Sequence, residues 1–296
     1  MDFKNGAELL SLCEKNRCSI SQIMKERECH LTDTNQEILD EKMNQVLRIM
    51  KQAATEPIEH PQPSMGGLIG GEAMLVDRHR REGKSLCGSL LSKAIAYSMA
   101  VLERSSSMGL IVAAPTAGSS GVVPGVLLAI QEEHGFSCQD LLPALYNASA
   151  IGYLAMRNAS VAGAVAGCQA EVGVASAMAA SAAVELMGGT PVQCLSAAST
   201  SLMNLLGLVC DPVGGLVEYP CQNRNAIGAA GALTAAEIAL SGVRQMIPFD
   251  EMLAAMYSVG RRISPDLRET ARGGCAVTPA GCRAAGGCQD TDRRIM

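Results

Sequence analysis

Two cysteines in one Pro- and Gly-rich segment are the residues of this chain most suited to chemistry. The segment CDPVGGLVEYPCQNRN, residues 210–225, begins with Cys210 and reaches Cys221 just before a run of polar side chains. Its two prolines cannot donate backbone hydrogen bonds, and Gly214–Gly215 permits positive φ, so the segment can turn both sulfurs toward one point. The pattern predicts a metal site carried on a loop.

A third candidate ligand is Cys168, in the segment GCQAEVG, where a glycine leads into a predicted helix. At a helix N-terminus the helix dipole favours the thiolate form of a cysteine. The three cysteines are 42 and 11 residues apart, whereas zinc ribbons and ferredoxin-type clusters use close C-x2-C pairs. The spacing alone leaves two readings open, a metal site or three cysteines packed in an apolar core.

The loop at residues 115–121, PTAGSSG, is a second candidate site. Its backbone amides and hydroxyls can surround a carboxylate, and the chain turns helical from Val122 onward, which suits an anion at a helix N-terminus. A solvated Gly/Ser turn is the simpler alternative. The candidate binding residues in this loop are Thr116, Ala117, Gly118, Ser119 and Ser120.

Charged and polar residues near these motifs are further candidates. Lys93 and Glu171 both lie in apolar surroundings, and Glu171 is three residues after Cys168. Either could orient a substrate, although a lysine on an amphipathic helix is commonly a surface residue and an early-turn acid commonly interacts with the helix dipole. None of the four His residues lies near these motifs. Amide and guanidinium donors that can bond to sulfur or a carboxylate follow Cys221, namely Asn223, Arg224 and Asn225.

The overall composition excludes several classes of protein. The chain has 296 residues, 48% of them apolar, which suffices for a substantial core. Its net charge is −5 and aromatic residues make up 3%, so no nucleic-acid partner is expected. The first residues lack the features of a secretory signal, and the most apolar window is too short to span a bilayer. We expect a cytoplasmic protein with no membrane partner, whose 12 cysteines are reduced.

The order of segments predicts a mainly α fold, a compact bundle of Ala/Leu/Met-rich helices with Gly-rich loops around a central site. Only residues 110–113 resemble a strand. We expect an N-terminal helical arm at 1–60, a catalytic domain at 61–274 and a mobile tail at 275–296, with a Pro- and Gly-rich linker at 55–72. Helices are predicted over residues 84–105, 123–134, 140–158, 168–187, 192–206, 226–240 and 250–259.

Several motifs together resemble the α chain of bacterial iron-sulfur L-serine dehydratase. They are GCQAEVG around Cys168, CDPVGGLVEYPCQNRNA at 210–226, MGGLIGGEA at 65–73 and MGLIVAAPTAGSSGVVPGVL at 108–127. The resemblance implies that Cys168, Cys210 and Cys221 hold a [4Fe-4S] cluster whose fourth iron lacks a protein thiolate. It also implies that the 115–121 loop binds L-serine, and that no pyridoxal phosphate is used.

The implied reaction is dehydration of L-serine to pyruvate and ammonia, with the open iron acting as a Lewis acid on the carboxylate and hydroxyl. In the resembled family a separate β chain or domain supplies the histidine expected to accept the proton, and nothing like its Ser-Ser-Ser-His-Thr stretch occurs here. The chain is therefore expected to need a β chain for activity. In a related form a C-terminal cysteine caps the open iron, and whether Cys275, Cys282 or Cys288 does so is left open.

Three alternatives remain. A pyridoxal-phosphate dehydratase would use Lys93 as Schiff base, but such folds need alternating strands and helices, and it leaves the three cysteines without a role. A cysteine desulfidase-like lyase could use the same cluster on a thiol substrate. A non-catalytic iron-sulfur or redox module is the third alternative, in which the Cys-rich tail would be the functional part.

Overall fold

The computed structural model describes residues 2–287 of the chain. Among these residues the regular structure is helical and no strand forms, apart from one isolated parallel bridge between Cys210 and Arg268. This confirms the predicted mainly α fold. The helices are α1 (Gly6–Asn16), α2 (Ile20–Thr32), α3 (Gln36–Glu59), α4 (Glu72–Arg81), α5 (Gly88–Ser106), α6 (Val122–His134), α7 (Leu141–Asn158), α8 (Gly163–Ala166), α9 (Val174–Leu186), α10 (Pro191–Asn204), α11 (Cys221–Leu240), α12 (Phe249–Gly260) and α13 (Pro279–Ala284).

Local signals set several of the helix ends. Ser19 and Gln22 form a reciprocal capping box at the start of α2, and Thr190 does the same with Gln193 at the start of α10, where Pro191 occupies the first turn. These caps satisfy amides that have no partner inside the helix. The chain therefore begins these helices where its own side chains can pair the free backbone groups.

The most buried helix is α9, at the centre of the bundle. Residues 174–184 are all buried and are mostly Ala and Ser, so the neighbouring helices α6, α7, α10 and α11 can pack closely around them. Its hydroxyls are paired: Ser181 donates to Asn147 Oδ1 (2.6 Å) and Ser176 to the carbonyl of Gly228 (2.9 Å). In the described part of the chain no helix, α9 included, has the length and apolarity to cross a membrane.

The three N-terminal helices share one hydrophobic core with the rest of the bundle. Phe3, Leu9 and Ile23 are fully buried within it, and α2 packs on α7 while α3 packs on α5. The division into an arm at 1–60 and a catalytic domain at 61–274 stays a prediction. Residues 275–287 form a 3₁₀ turn and α13, and the rest of the predicted mobile tail lies outside the described residues.

The region predicted as a linker, 55–72, is partly helical. Helix α3 continues through Pro57 to Glu59, and the loop that follows ends at Glu72, where α4 begins. The strand-like residues 110–113 run without a regular partner to Ala114 and the 115–121 loop. The first loop leads into α4, which packs on α3 and α5, and the second leads into α6.

Candidate functional site

The three candidate cysteines come from three different elements and are all buried. Cys168 follows Gly167, which ends the short helix α8, Cys210 lies between α10 and α11, and Cys221 is the first residue of α11. Cys210 is held from both sides of its backbone, since its N–H donates to Leu267 O (2.9 Å) and its carbonyl accepts from Glu269 N (2.7 Å). These two bonds fix the backbone of Cys210 against the 267–269 segment.

The segment between Cys210 and Cys221 is a closed turn. The amide of Val213 donates to the carbonyl of Tyr219 (2.9 Å), and Gly214 and Gly215 both adopt positive φ, of 64° and 73°. Only glycine adopts this conformation without strain. The loop predicted through residue 225 ends earlier, however, because Cys221 already starts α11 and the polar residues after it are helical.

Cys168 is followed by a π-helical turn, Gln169–Gly173, before α9 begins. Such turns are rare and are frequent at functional sites. The buried side chain of Gln169 anchors the turn through three hydrogen bonds, donating to Ala166 O and Met256 O (both 2.9 Å) and accepting from Gly207 N (2.8 Å). Glu171 is part of this wider turn, and its carboxylate lies beside Cys210.

Glu171 connects the two predicted sites. Its Oε1 accepts a hydrogen bond from Thr116 Oγ1 (2.9 Å), and its Oε2 lies 3.7 Å from Cys210 Sγ, which donates to it. Burial raises the pKa of this carboxyl, although the bond from Thr116 opposes the shift. Gly163 makes the close approach possible, because a Cβ there would lie 2.5 Å from Glu171 Oε2 and 3.0 Å from Cys210 Sγ.

The thiols are held in a strongly desolvating environment. Burial raises the pKa of Cys168 and of Cys221 to about 12, and it raises the pKa of Cys210 further. Cys168 also raises the pKa of both other cysteines, because negative charges on these thiols would repel one another. The thiolate-favouring effect expected for Cys168 at a helix N-terminus is outweighed by desolvation, because the site is buried among apolar residues.

The 115–121 loop is tightly built. Residues Ala117–Ser119 form a 3₁₀ turn, and α6 begins at Val122 as predicted. Ser119 and Ser120 are fully buried, and Ser120 Oγ donates to Ala117 O (2.7 Å). Within the described residues the amides of Ala117 and Gly118 have no hydrogen-bond acceptor. The loop therefore offers two free amides in the 3₁₀ turn that leads into α6.

The three polar residues after Cys221 have different environments. Asn223 is exposed, whereas Asn225 is fully buried. Arg224 Nη2 lies 2.7 Å from Asp211 Oδ1, a charge contact that is not aligned as a hydrogen bond, and Arg224 Nη1 donates to Val209 O (2.9 Å). Its positive charge also lowers the pKa of Cys168, against the larger effect of burial.

The MGGLIGGEA motif is attached to the cysteine segment by two buried side chains that the sequence patterns did not single out. Glu218 accepts hydrogen bonds from the 64–68 segment, and Gln222 donates to Glu103 Oε1 (2.8 Å), which also accepts from Ala73 N (2.9 Å). Burial raises the pKa of Glu103. In the sequence, the signal that could have identified Glu218 is an acidic residue within an apolar stretch, three residues before Cys221.

Lys93 lies apart from the cysteines. Its Nζ pairs with Glu132 Oε2 (2.9 Å), near the end of α6 opposite the 115–121 loop, and Tyr97 donates to the other carboxylate oxygen (2.7 Å). The four histidines also lie elsewhere, on α2, just after α3, on α4 and at the last residue of α6. Neither Lys93 nor a histidine of this chain joins the site.

The tail reaches the edge of this region. The amide of Cys275 donates to Asp211 Oδ2 (2.6 Å), which places it beside the Asp211–Arg224 pair. Cys282 lies on α13, and Cys288 lies outside the described residues. The structure therefore brings Cys275 within reach of the cysteine segment through its backbone.

The donor set fits a cluster better than a single ion. In the part of the chain that the structure describes, no group of three or more His, Cys, Asp or Glu side chains is arranged to hold one metal ion. An iron-sulfur cluster is larger than an ion and takes cysteine thiolates as ligands, so its ligands lie further apart. Three buried thiols from separate elements suit that larger group.

The chain is similar to known proteins over most of its length. A family model described as serine dehydratase alpha chain matches residues 15–276. A Bacillus subtilis protein named probable L-serine dehydratase, alpha chain, is 44% identical over 94% of this chain and 93% of its own length. The Peptoniphilus asaccharolyticus L-serine dehydratase, alpha chain, is 41% identical over 94% of this chain and 96% of its own length. A Helicobacter pylori L-serine dehydratase is 36% identical over 94% of this chain, but the match covers only 62% of that longer protein.

Proposed function

Because the chain belongs to the serine dehydratase alpha chain family, we propose that it is the α subunit of an iron-sulfur L-serine dehydratase, a lyase that converts L-serine to pyruvate and ammonia. One observation carries the proposal: Glu171 joins the 115–121 loop to Cys210, so that a candidate carboxylate-binding loop and three thiols share one site. The substrate is taken from the names of the relatives, which act on L-serine.

Cys168, Cys210 and Cys221 are the residues that would hold a [4Fe-4S] cluster. When bound, the cluster would supply a Lewis-acidic iron without a protein thiolate, able to polarise a hydroxyl and a carboxylate. The positive charge of Arg224 favours the thiolate form of Cys168 against burial. Arg224, first expected to bind substrate, is therefore proposed to support the thiolates, because its own donors are engaged by Asp211 and Val209.

The 115–121 loop would bind the substrate carboxylate. The free amides of Ala117 and Gly118 lie in the 3₁₀ turn that precedes α6, where their N–H groups can donate to an anion. Ser119 and Ser120 use their hydroxyls within the loop, so they shape it, whereas Thr116 presents its hydroxyl to Glu171. Asn223 is exposed, so it could contact the substrate only from the solvent side of the site.

Glu171 would handle a proton or orient the substrate. Its carboxyl lies between the loop and Cys210, and a Cβ on Gly118 would be 3.5 Å from its Oε1. No histidine of this chain is at the site, so the main base is expected from a β chain. The longer relatives support such a partner, because they contain a further region in one polypeptide. Lys93 has no part in this proposal, since it pairs with Glu132.

The proposal is tested by reconstituting the chain anaerobically with iron, sulfide and a β chain, then measuring pyruvate formed from L-serine. We expect activity that is lost in air and does not depend on pyridoxal phosphate. L-cysteine and L-threonine serve as competing substrates. Sulfide release from cysteine without serine turnover would favour a desulfidase, and a bound cluster without any turnover would favour a redox module.

A further inference from the structure

Asn225 makes three hydrogen bonds that join two separate parts of the site. Its Nδ2 donates to Gly118 O (2.7 Å) and to Cys221 O (2.9 Å), and its Oδ1 accepts from Gly121 N (3.0 Å). The side chain is fully buried, so none of these bonds competes with bulk water. Every polar atom of the amide is used, with both ends directed at the 115–121 loop.

The surroundings leave little freedom in how the loop is held. A Cβ on Gly121 would collide with the carbonyl oxygen of Ser98 and lie 3.1 Å from Asn225 Oδ1, so the loop backbone is confined between α5 and α11. The amide of Gly118 is one of the two that carry no acceptor, while its own carbonyl is fixed by Asn225. Because peptide groups are planar, that bond fixes the unit joining Gly118 to Ser119, and the bond from Gly121 N fixes the unit joining Ser120 to Gly121. Asn225 therefore holds the loop on the C-terminal side of the two free amides.

We propose that Asn225 is a positioning residue that sets the carboxylate-binding amides of the 115–121 loop relative to the thiol of Cys221. This inference rests on the proposed function of the loop. Asn225 lies one helical turn after Cys221 on α11, so it bonds the backbone of a cluster ligand and the loop with the same amide group. The effect on substrate acts through the loop, since Asn225 is itself buried beneath it.

These three bonds require a side chain that both donates and accepts, as the amide of Asn225 does. Aspartate retains an acceptor for Gly121 N but places an oxygen against the carbonyls of Gly118 and Cys221, where a donor is needed. Alanine removes all three bonds and leaves Gly121 N without an acceptor. The two substitutions therefore separate the Gly121 bond from the Gly118 bond.

The experiment compares Asn225→Asp, Asn225→Ala and Ser176→Ala in the reconstituted holoenzyme with its β chain. Ser176→Ala is the matched control, because it removes a buried hydrogen bond to Gly228, also on α11, without touching the loop. Bound iron, KM and kcat for L-serine, and amide hydrogen exchange over residues 114–121 are measured for each. Amide exchange reports how firmly the loop is held, whether or not the enzyme turns over serine.

We expect both Asn225 variants to raise KM for serine about tenfold, the effect of losing a buried hydrogen bond, with bound iron unchanged. Exchange at Gly121 should accelerate in Asn225→Ala and stay slow in Asn225→Asp. An unchanged KM alongside faster exchange would overturn the inference, as would an equal rise of KM in Ser176→Ala. If the wild-type enzyme forms no pyruvate, the proposed function fails, and unchanged exchange in Asn225→Ala separately refutes the positioning role.

Discussion

Removing the carboxylate of Glu218 should break the hydrogen bonds that hold the 64–68 loop against the cysteine segment and so destabilise the fold. Glu218 is 3% exposed and accepts hydrogen bonds from Ser64 Oγ (2.6 Å), Gly66 N (2.7 Å) and Leu68 N (3.1 Å). In Glu218→Ala the amides of Gly66 and Leu68 lose their acceptor. Each buried amide left without a partner costs about 1–3 kcal/mol of folding free energy. Since Gly66 is exposed and water can reach its amide, we expect a total loss of about 3 kcal/mol in the free energy of unfolding.

The more conservative Glu218→Gln should cost less. Glutamine keeps one acceptor oxygen and places its NH₂ where the second carboxylate oxygen was, so Ser64 can turn to accept while Leu68 N cannot. We expect a loss of about 1–2 kcal/mol, because one amide bond and the charge of the acceptor disappear. Urea unfolding of the isolated chain, followed by circular dichroism, measures both values.

A double-mutant cycle checks that the contact itself is responsible. Glu218→Ala and Ser64→Ala should be coupled by about 0.5 kcal/mol or more, since they share a hydrogen bond. Glu133→Ala, at an exposed position of α6, is the control and should change stability by less than about 0.5 kcal/mol. The reasoning is refuted if Glu218→Ala is as stable as that control.

Two further predictions concern α6 and α8. Burial acts to raise the pKa of Glu132, but the hydrogen bonds from Lys93 and Tyr97 lower it below 4.5 overall. The lowered pKa stabilises the fold above about pH 4.5, and the benefit is lost as pH falls through the folded-state pKa. Because the Glu132 side chain is 41% exposed and water screens the pair, Glu132→Gln should cost less than about 1 kcal/mol at pH 7 and weaken the acid dependence of unfolding. In Gly163→Ala the new Cβ would lie 3.0 Å from Cys210 Sγ and displace that thiol. We expect less bound iron after reconstitution and an unchanged circular dichroism spectrum. Full iron binding by this variant would contradict the prediction.

Most of the helices and the 115–121 loop follow from local sequence patterns, whereas the set of three cysteines is implied by the family resemblance. Small and apolar residues at 168–187 predict the buried helix that α9 forms, and the glycine and hydroxyl residues of 115–121 predict a loop before α6. These patterns depend on neighbours in the chain, so periodicity and turn chemistry suffice to find them.

The bonds between those elements could not be predicted in the same way. Asn225 bonds to Gly118, which is 107 residues away, and Glu218 bonds to Ser64, which is 154 residues away. Such pairs arise from how the bundle packs, and a single sequence carries no signal for them. The sequence pattern also predicts the start of α11 too late, at residue 226, because Pro220 is typical of a loop but here directly precedes the first helical residue, Cys221.

Iron binding by the three cysteines tests the central claim most directly. Each of Cys168, Cys210 and Cys221 is replaced by serine, and Cys194, a fully buried residue of α10, is replaced as the control. After anaerobic reconstitution the wild-type chain and Cys194→Ser should bind about four iron atoms and the same amount of sulfide. Each of the other variants should lose most of its iron, and with it pyruvate formation from L-serine. Full iron content and activity in Cys210→Ser would contradict the account.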